Sequence, residues 1–443
     1  MMLIEFKFSN YRSFRDEAIL SMEATRVASF KNSLIEFSPS GKSTQNPIKL
    51  LPSAAIYGKN GGGKSNVIRA FWLAVQFIRN AQRTQHENAP IPVRPFLLDD
   101  VSSNEPTTFE FNYVYEGIKY CYGFSATKEK ITKEYLYHAP KGQKSRVFTR
   151  DGQAFQFSEN ADKKKRQMIS EAVAPNQLYF AVACTMNEKA CIDAMRWFRE
   201  GVYFSRDYTD IPEQFLNYSE DANMLRAISD YAKMADVGIQ DMQFEVKNTE
   251  IPDEGALPTD LPEDIKGALV QFMKALSNAP NIAESQLKTG EVNAVSFHQG
   301  IDSMGNPRRY ELQLADESDG TRKLMALAPA IERVLGCGGV LLVDELEKEM
   351  HPMLVEMVVS KFQSPKANPN HAQLIFTTHN TELLNMELLR KDQLYFVDKN
   401  RKDGSSMLYS ISEFSTPTSE NVRKSYLMGK YGATPDLMIE EVD

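Results

Sequence analysis

Four glycines, two lysines and a serine fall within the ten residues YGKNGGGKSN at 57–66. Glycine costs conformational entropy wherever another residue would serve, so such a cluster implies that something must approach the backbone closely. The stretch fits the pattern G-x-x-x-x-G-K-S/T through Gly58, Gly63, Lys64 and Ser65. In that pattern the backbone from Gly58 through Lys59, Asn60, Gly61, Gly62 and Gly63 to Asn66 cradles the phosphates of a nucleotide. Lys64 would bind the β- and γ-phosphates and Ser65 would hold Mg²⁺.

Two acids and a histidine carry complementary chemistry. In GGVLLVDE, an apolar run ends in Asp344 and Glu345. An acid in that place can hold Mg²⁺ through water, and a second beside it can polarise the water that attacks a γ-phosphate. The same pair could instead cap the next helix. AQLIFTTHN ends in His379, where a ring could stabilise or sense a γ-phosphate; lone loop histidines are commonly structural. A third stretch, ESDGT at 317–321, opens a helical pattern through Leu324, Leu327, Ala328, Ile331, Val334 and Leu335. Ser, Asp and Thr are ordinary N-caps. Gly320 among them would let a second phosphate approach the helix end, while Pro329 should kink or split that helix.

These residues need a frame. Ala54, Ala55, Ile56 and Tyr57 read as a buried strand into the glycine loop, and Val67, Ile68, Ala70, Phe71, Leu73 and Ala74 as the apolar face of a helix leaving it. The runs before Asp344 and His379 are continuous and apolar, as in a buried parallel sheet. Ligands bind such sheets beyond the carboxyl ends of the strands, where the loop, the acids and His379 all lie. Elsewhere, MLIEFKFSNYRSFRDEAILSM alternates like paired strands about a polar loop, and 107–158 reads as an antiparallel meander with turns at Glu116-Gly117, Lys141-Gly142 and Asp151-Gly152. The expected fold is α/β: an N-terminal lobe at 1–159 with the loop and an antiparallel β-subdomain, a mainly helical insert at 160–295 broken by an acidic, proline-rich connector at 250–265, and a C-terminal lobe at 296–443.

Composition narrows the class. At 443 residues with 42% hydrophobic and 25% charged residues the chain can bury real cores. No apolar run reaches the length of a membrane span and no signal-peptide pattern opens the chain, which places the expected protein in the cytosol. The four cysteines, Cys121, Cys184, Cys191 and Cys337, have no metal spacing and read as buried thiols. A net charge of −8 argues against a surface that grips DNA all over, but leaves room for one basic groove and a nucleic-acid partner. The best basic cluster, Lys163, Lys164, Lys165 and Arg166, has no aromatic residues interleaved and reads as a solvated helix face.

The order of phosphate loop, Ser-x-Gly turn before the acid strand, and Thr-His after the next strand resembles the ATPase heads of the ABC superfamily. NYRSF at 10–14 resembles the RecF and SMC branch. RPFLLDD, ESDGT, VDELEKEMHP, FTTHNTELL and YLMGKYGATP resemble the RloA-type AAA-family ATPases of phage-defence and restriction-linked operons. The resemblance implies ATP and Mg²⁺ as ligands, Lys64 and Ser65 as the phosphate-loop pair, Asp344 as the Mg²⁺ acid, Glu345 as the catalytic glutamate and His379 as the switch histidine. It implies that Ser318 and Gly320 contact ATP held by an opposing subunit, and that Arg12 reaches the nucleotide. It further implies a homodimer or larger homo-oligomer closed over ATP, and a separately encoded effector, plausibly a TOPRIM-type nuclease. The signature reads Ser-Asp-Gly-Thr rather than Ser-Gly-Gly-Gln, Glu347 stands where relatives often carry Asp, and Gln82 and Gln85 are the candidates for a Q-loop glutamine. The chief alternative is a RecF-like DNA-repair ATPase. A transporter subunit fits less well because some 250 residues separate the phosphate loop from the signature, and an SMC arm would need heptads that are missing.

Overall fold

The computed structural model describes residues 1–26, 33–38, 47–84, 88–140, 142–159, 163–205, 218–236, 238–248, 290–414 and 420–434, with the single positions 215 and 267. The 250–265 connector and Gln85 lie outside the described residues, as do Lys141 and the side chain of Gln82. In chain order the strands and helices are β1 (Met2–Ser9), β2 (Ala18–Ser21), β3 (Ile35–Phe37), β4 (Ile48–Leu50), β5 (Ser53–Gly58), α1 (Lys64–Thr84), β6 (Thr107–Tyr115), β7 (Ile118–Ala126), β8 (Ile131–Ala139), β9 (Ser145–Asp151) and β10 (Ala154–Phe157). They continue with α2 (Lys163–Glu171), α3 (Tyr179–Thr185), α4 (Lys189–Glu200), β11 (Val202–Ser205), α5 (Ala222–Ala235), β12 (Ile239–Asn248), β13 (Gly290–Ile301), β14 (Pro307–Gln313), α6 (Asp319–Cys337) and β15 (Val340–Val343). The chain closes with α7 (Pro352–Gln363), β16 (Gln373–Thr377), β17 (Leu394–Lys399), β18 (Ser406–Ser410) and α8 (Val422–Leu427).

The chain divides into two compact units, one of residues 1–206, 333–348 and 355–443, the other of 207–332 and 349–354. Two sheets dominate the first. The core sheet runs β11-β15-β16-β5-β17-β18, parallel except for the final antiparallel pair. Its central strands are fully buried, which is why they read as unbroken apolar runs rather than alternating ones. The second sheet, β10-β9-β8-β7-β6-β1-β2, is the expected meander plus the N-terminal hairpin. The Glu116-Gly117 turn takes positive φ at both residues, 47° and 75°, as a two-residue hairpin turn requires. Phe6, Phe71, Phe111 and Phe198 pack in tilted and edge-to-face contacts in one aromatic core between the two sheets and α1. The first unit is thus of α/β class, a mostly parallel core sheet with an antiparallel β-subdomain.

Three elements depart from the sequence reading. β11, inside the stretch read as a helical insert, is the outer strand of the core sheet, in parallel register with β15. Four residues between helix and loop are too few to show a period. The second unit holds, besides α5 and the start of α6, a three-stranded antiparallel sheet β12-β13-β14. α6 runs unbroken through Pro329, because Leu327, Ala328, Ile331 and Val334 on either side of it are buried and packing outweighs the lost backbone bond.

Gln373 joins the two sheets of the first unit. Fully buried, its amide accepts the Leu3 N–H at 2.6 Å and donates to Leu3 O and Leu51 O, both at 3.1 Å. Gln373→Ala would strand one buried donor and two buried acceptors. Each costs about 1–3 kcal/mol, so the variant should lose about 3 kcal/mol or more of stability, read as a lowered midpoint in urea at unchanged slope.

Candidate functional site

β5 ends at Gly58 and α1 begins at Lys64, so the five residues between them turn over the carboxyl edge of the core sheet. At Gly63 φ is +117°, and a Cβ would stand 2.7 Å from Ser406 Oγ and 2.8 Å from Ser13 Oγ. Only glycine fits there. Both serines brace the loop: Ser406 Oγ donates to Gly62 O at 2.6 Å, Asn66 Nδ2 donates to Ser13 Oγ at 2.8 Å, and Ser406 N–H donates to Ser13 O at 2.6 Å. The loop is therefore held open by neighbours on the N-terminal NYRSF turn and on β18.

Lys64 is almost wholly buried, with Nζ donating to Gly58 O at 2.8 Å and Lys59 O at 3.4 Å. Burial lowers its pKa, and the carboxylates of Glu345, Glu347 and Asp344 oppose that shift. A cation curled onto loop carbonyls, with three acids nearby, can swing to a phosphate that arrives in the loop.

Asp344 and Glu345 follow β15 and are fixed by one hydroxyl. Thr377 Oγ1, at the end of β16, donates to Asp344 Oδ1 at 2.6 Å and accepts the Glu345 N–H at 2.7 Å, while Thr377 O accepts the Leu346 N–H at 3.1 Å. Glu345 takes a positive φ of 52°, a conformation that costs a non-glycine residue about 1 kcal/mol or more. The Thr377 clamp over-determines that turn. Two residues on, the His379 N–H donates to Glu347 Oε1 at 2.5 Å, and Glu347 Oε2 is buried with no hydrogen-bond partner among the described residues. Burial and then the Lys64 charge lower the His379 pKa, against the pull of Glu347, Glu345 and Asp344. The ring thus stays neutral to a lower pH than an ordinary histidine. In nucleotide-free protein its NMR titration should have a midpoint below the usual 6.5. The sign for stability follows: the part His379 contributes is complete above that usual value and is lost as pH falls through the lowered one.

The loop, Asp344, Glu345 and His379 are thus brought together at the carboxyl ends of β5, β15 and β16 in the first unit. Thr377 and Glu347 join them and were not singled out by spacing. Thr377 looked like ordinary strand, and Glu347 stood out only as a departure from the resembled pattern. Arg12 lies in the same unit on a backbone with φ of 51°; its N–H donates to Arg94 O at 2.7 Å and its Nε to Tyr11 Oη at 3.2 Å. The next residue, Ser13, is the one that holds Asn66.

Ser318 and Gly320 belong to the second unit. Ser318 Oγ accepts the Thr321 N–H at 3.1 Å, the geometry of a helix N-cap. At Gly320 a Cβ would stand 2.6 Å from Glu349 O. The glycine is already required by that approach within its own unit, which a reading based on phosphate access did not foresee.

Among the described residues no three His, Cys, Asp or Glu side chains converge as a metal site. Mg²⁺ beside phosphates needs no such group, since phosphate oxygens and waters fill most of its six positions. The Ser65 hydroxyl at the start of α1 and the Asp344 carboxylate, fixed by Thr377, fit that sparse donor set. No helix among the described residues is long and apolar enough to cross a membrane.

Residues 53–385 match the family described as "AAA domain, putative AbiEii toxin, Type IV TA system". A curated relative, the "Retron Vc95 probable ATPase" of Vibrio cholerae serotype O1 biovar El Tor, is 24% identical over 168 residues; the match spans 38% of this chain and 29% of that protein's length. Among solved structures, an SMC head bound to the C-winged helix domain of ScpA aligns with a TM-score of 0.41 at 12% identity over 93% of this chain and 97% of the other. The recombination mediator RecF with ATP aligns with a TM-score of 0.35 at 11% identity over 92% and 99%.

Proposed function

The chain belongs to this AAA-domain family, an ATPase family, and on that premise we propose that it binds and hydrolyses ATP as a nucleotide-dependent dimer switch. The observation that carries the reading is the convergence of Lys64, Asp344, Glu345 and His379 on one glycine loop: Lys64 Nζ rests on Gly58 O, Thr377 fixes both acids, and, after burial, the Lys64 charge lowers the His379 pKa against the pull of Glu347, Glu345 and Asp344. The loop amides and Lys64 hold the triphosphate. Ser65 and Asp344 would hold Mg²⁺, which would supply charge neutralisation at the phosphates. Glu345 accepts a proton from the attacking water, and His379 donates to the γ-phosphate through its neutral ring. Glu347 orients His379 through the His379 backbone N–H.

Ser318 and Gly320 complete the site of an opposing copy, and Arg12 reaches the same nucleotide. ATP then closes two chains because each nucleotide touches both, and hydrolysis removes the contacts. A shift from mostly open to mostly closed needs about 5.5 kcal/mol. A few charge-assisted hydrogen bonds at about 1.5–3 kcal/mol each supply it. Resemblance to the RloA-type group supports an output in phage defence through a separate effector, a TOPRIM-type nuclease. A RecF-like role in DNA repair is the second reading, supported by the NYRSF loop that braces Asn66.

Phosphate release by the purified chain with Mg²⁺ and ATP tests the hydrolytic core: turnover is expected, and its absence at saturating ATP would remove it. For the output, affinity capture of the tagged chain from its native host should bring down a nuclease. Recovery of recombination proteins and DNA alone would favour the repair reading instead.

A further inference from the structure

The cluster Lys163–Arg166 divides in the structure. Arg166 is buried, paired with Glu188 at 2.7 Å and bonded to Val147 O at 3.0 Å, and Lys165 Nζ donates to Asn187 O at 2.9 Å. Lys163 and Lys164 instead line an open groove of about 700 Å³ between α2 and the edge strand β10. That size is in the range of ligand clefts. Arg146 enters from β9, its Nη1 held on Gln156 Oε1 at 2.7 Å while its Nε is buried with no hydrogen-bond partner among the described residues. Phe157, half-buried, forms part of the wall; it stacks on Phe155 with their planes 14° apart and packs on Tyr179 with ring centroids 5.7 Å apart. Among the described residues Glu171 is the one acid lining the groove, and Gln167 donates to it at 3.2 Å. Three cations face one acid, beside an aromatic ring, on a chain whose net charge is −8. The aromatic residue missing from the sequence cluster is supplied by the neighbouring strand.

We infer that this groove binds a single strand of nucleic acid: Arg146, Lys163 and Lys164 take backbone phosphates, Phe157 takes a base against the part of its ring left exposed beside Phe155 and Tyr179, and Gln156 holds the guanidinium for the strand. Amides and an aromatic ring among cations suit a strand with exposed bases, whereas an acidic peptide would need only the charges. The site lies in the first unit, uses no residue of the nucleotide site, and stands or falls independently of ATP hydrolysis.

Anisotropy of labelled oligonucleotides of about 15 nucleotides, one thymidine DNA and one uridine RNA, titrated with the full chain, tests it. Binding of either is expected, weakening steeply between about 50 and about 200 mM salt. The triple change Arg146→Glu, Lys163→Glu, Lys164→Glu should weaken binding at least about tenfold and flatten the log–log salt slope by about 2, at about 0.7 per phosphate. Lys164→Glu alone, on an exposed position, should flatten it by about 0.7. Phe157→Ala should weaken binding about fivefold or more at unchanged slope. ATP turnover should be unaffected in all three. No binding of either oligonucleotide, parental binding by the triple variant, or displacement by polyglutamate as readily as by unlabelled strand would overturn the inference.

Discussion

Lys64→Ala is expected to weaken ATP binding by about a hundredfold or more. Lys64 Nζ is the cation inside the loop, resting on Gly58 O and Lys59 O until phosphate replaces those carbonyls. Two charge-assisted hydrogen bonds at about 1.5–3 kcal/mol each disappear with it, and the flanking glycines bring no charge in exchange. The fold should tolerate the loss. A desolvated cation leaves, so the thermal midpoint should hold or rise. Equilibrium binding of a fluorescent ATP analogue decides the matter, and parental affinity in a folded variant would refute the phosphate-loop assignment.

Glu345→Gln should separate binding from turnover. The amide keeps the side chain's shape, and the Thr377 bond to the Glu345 N–H keeps the strained turn, so ATP affinity should stay within about twofold. Loss of the group that takes the proton should lower kcat by about 10²–10⁴. The neighbouring Asp344 retains its own bond to Thr377. Single-turnover phosphate release measures the effect. A kcat within a few-fold of the parent would move the base elsewhere in the cluster.

These two residues were legible from spacing alone because phosphate chemistry leaves a local pattern. Gly58 to Ser65 is one contiguous stretch, and Asp344, Glu345 and His379 each end an unbroken apolar run. The central strands were readable for the same reason, being buried on both faces. What joins the parts was not readable. Thr377 positions two acids from a strand more than thirty residues away, Ser406 braces the loop across nearly the whole chain, and Gln373 stitches the sheets through Leu3. Such contacts leave no period and no motif. Gly320 shows the converse: the residue was visible, but its close neighbour, the Glu349 carbonyl, was not. The basic run at 163–166 is a third kind of case. Its four residues look alike in sequence, yet the fold buries Arg166 against Glu188 and leaves Lys163 and Lys164 at a groove.

The central claim is that ATP closes two chains over shared sites, and the most direct measurement is the solution mass of Glu345→Gln by multi-angle light scattering, with and without Mg²⁺ and ATP. The account predicts one chain without nucleotide and two with it. Adding Ser318→Arg to the same protein should hold it at one chain while ATP still binds, since that defect lies on the partner's side of the site. A mass that ignores ATP, or a double variant that still pairs as Glu345→Gln does, would contradict the account.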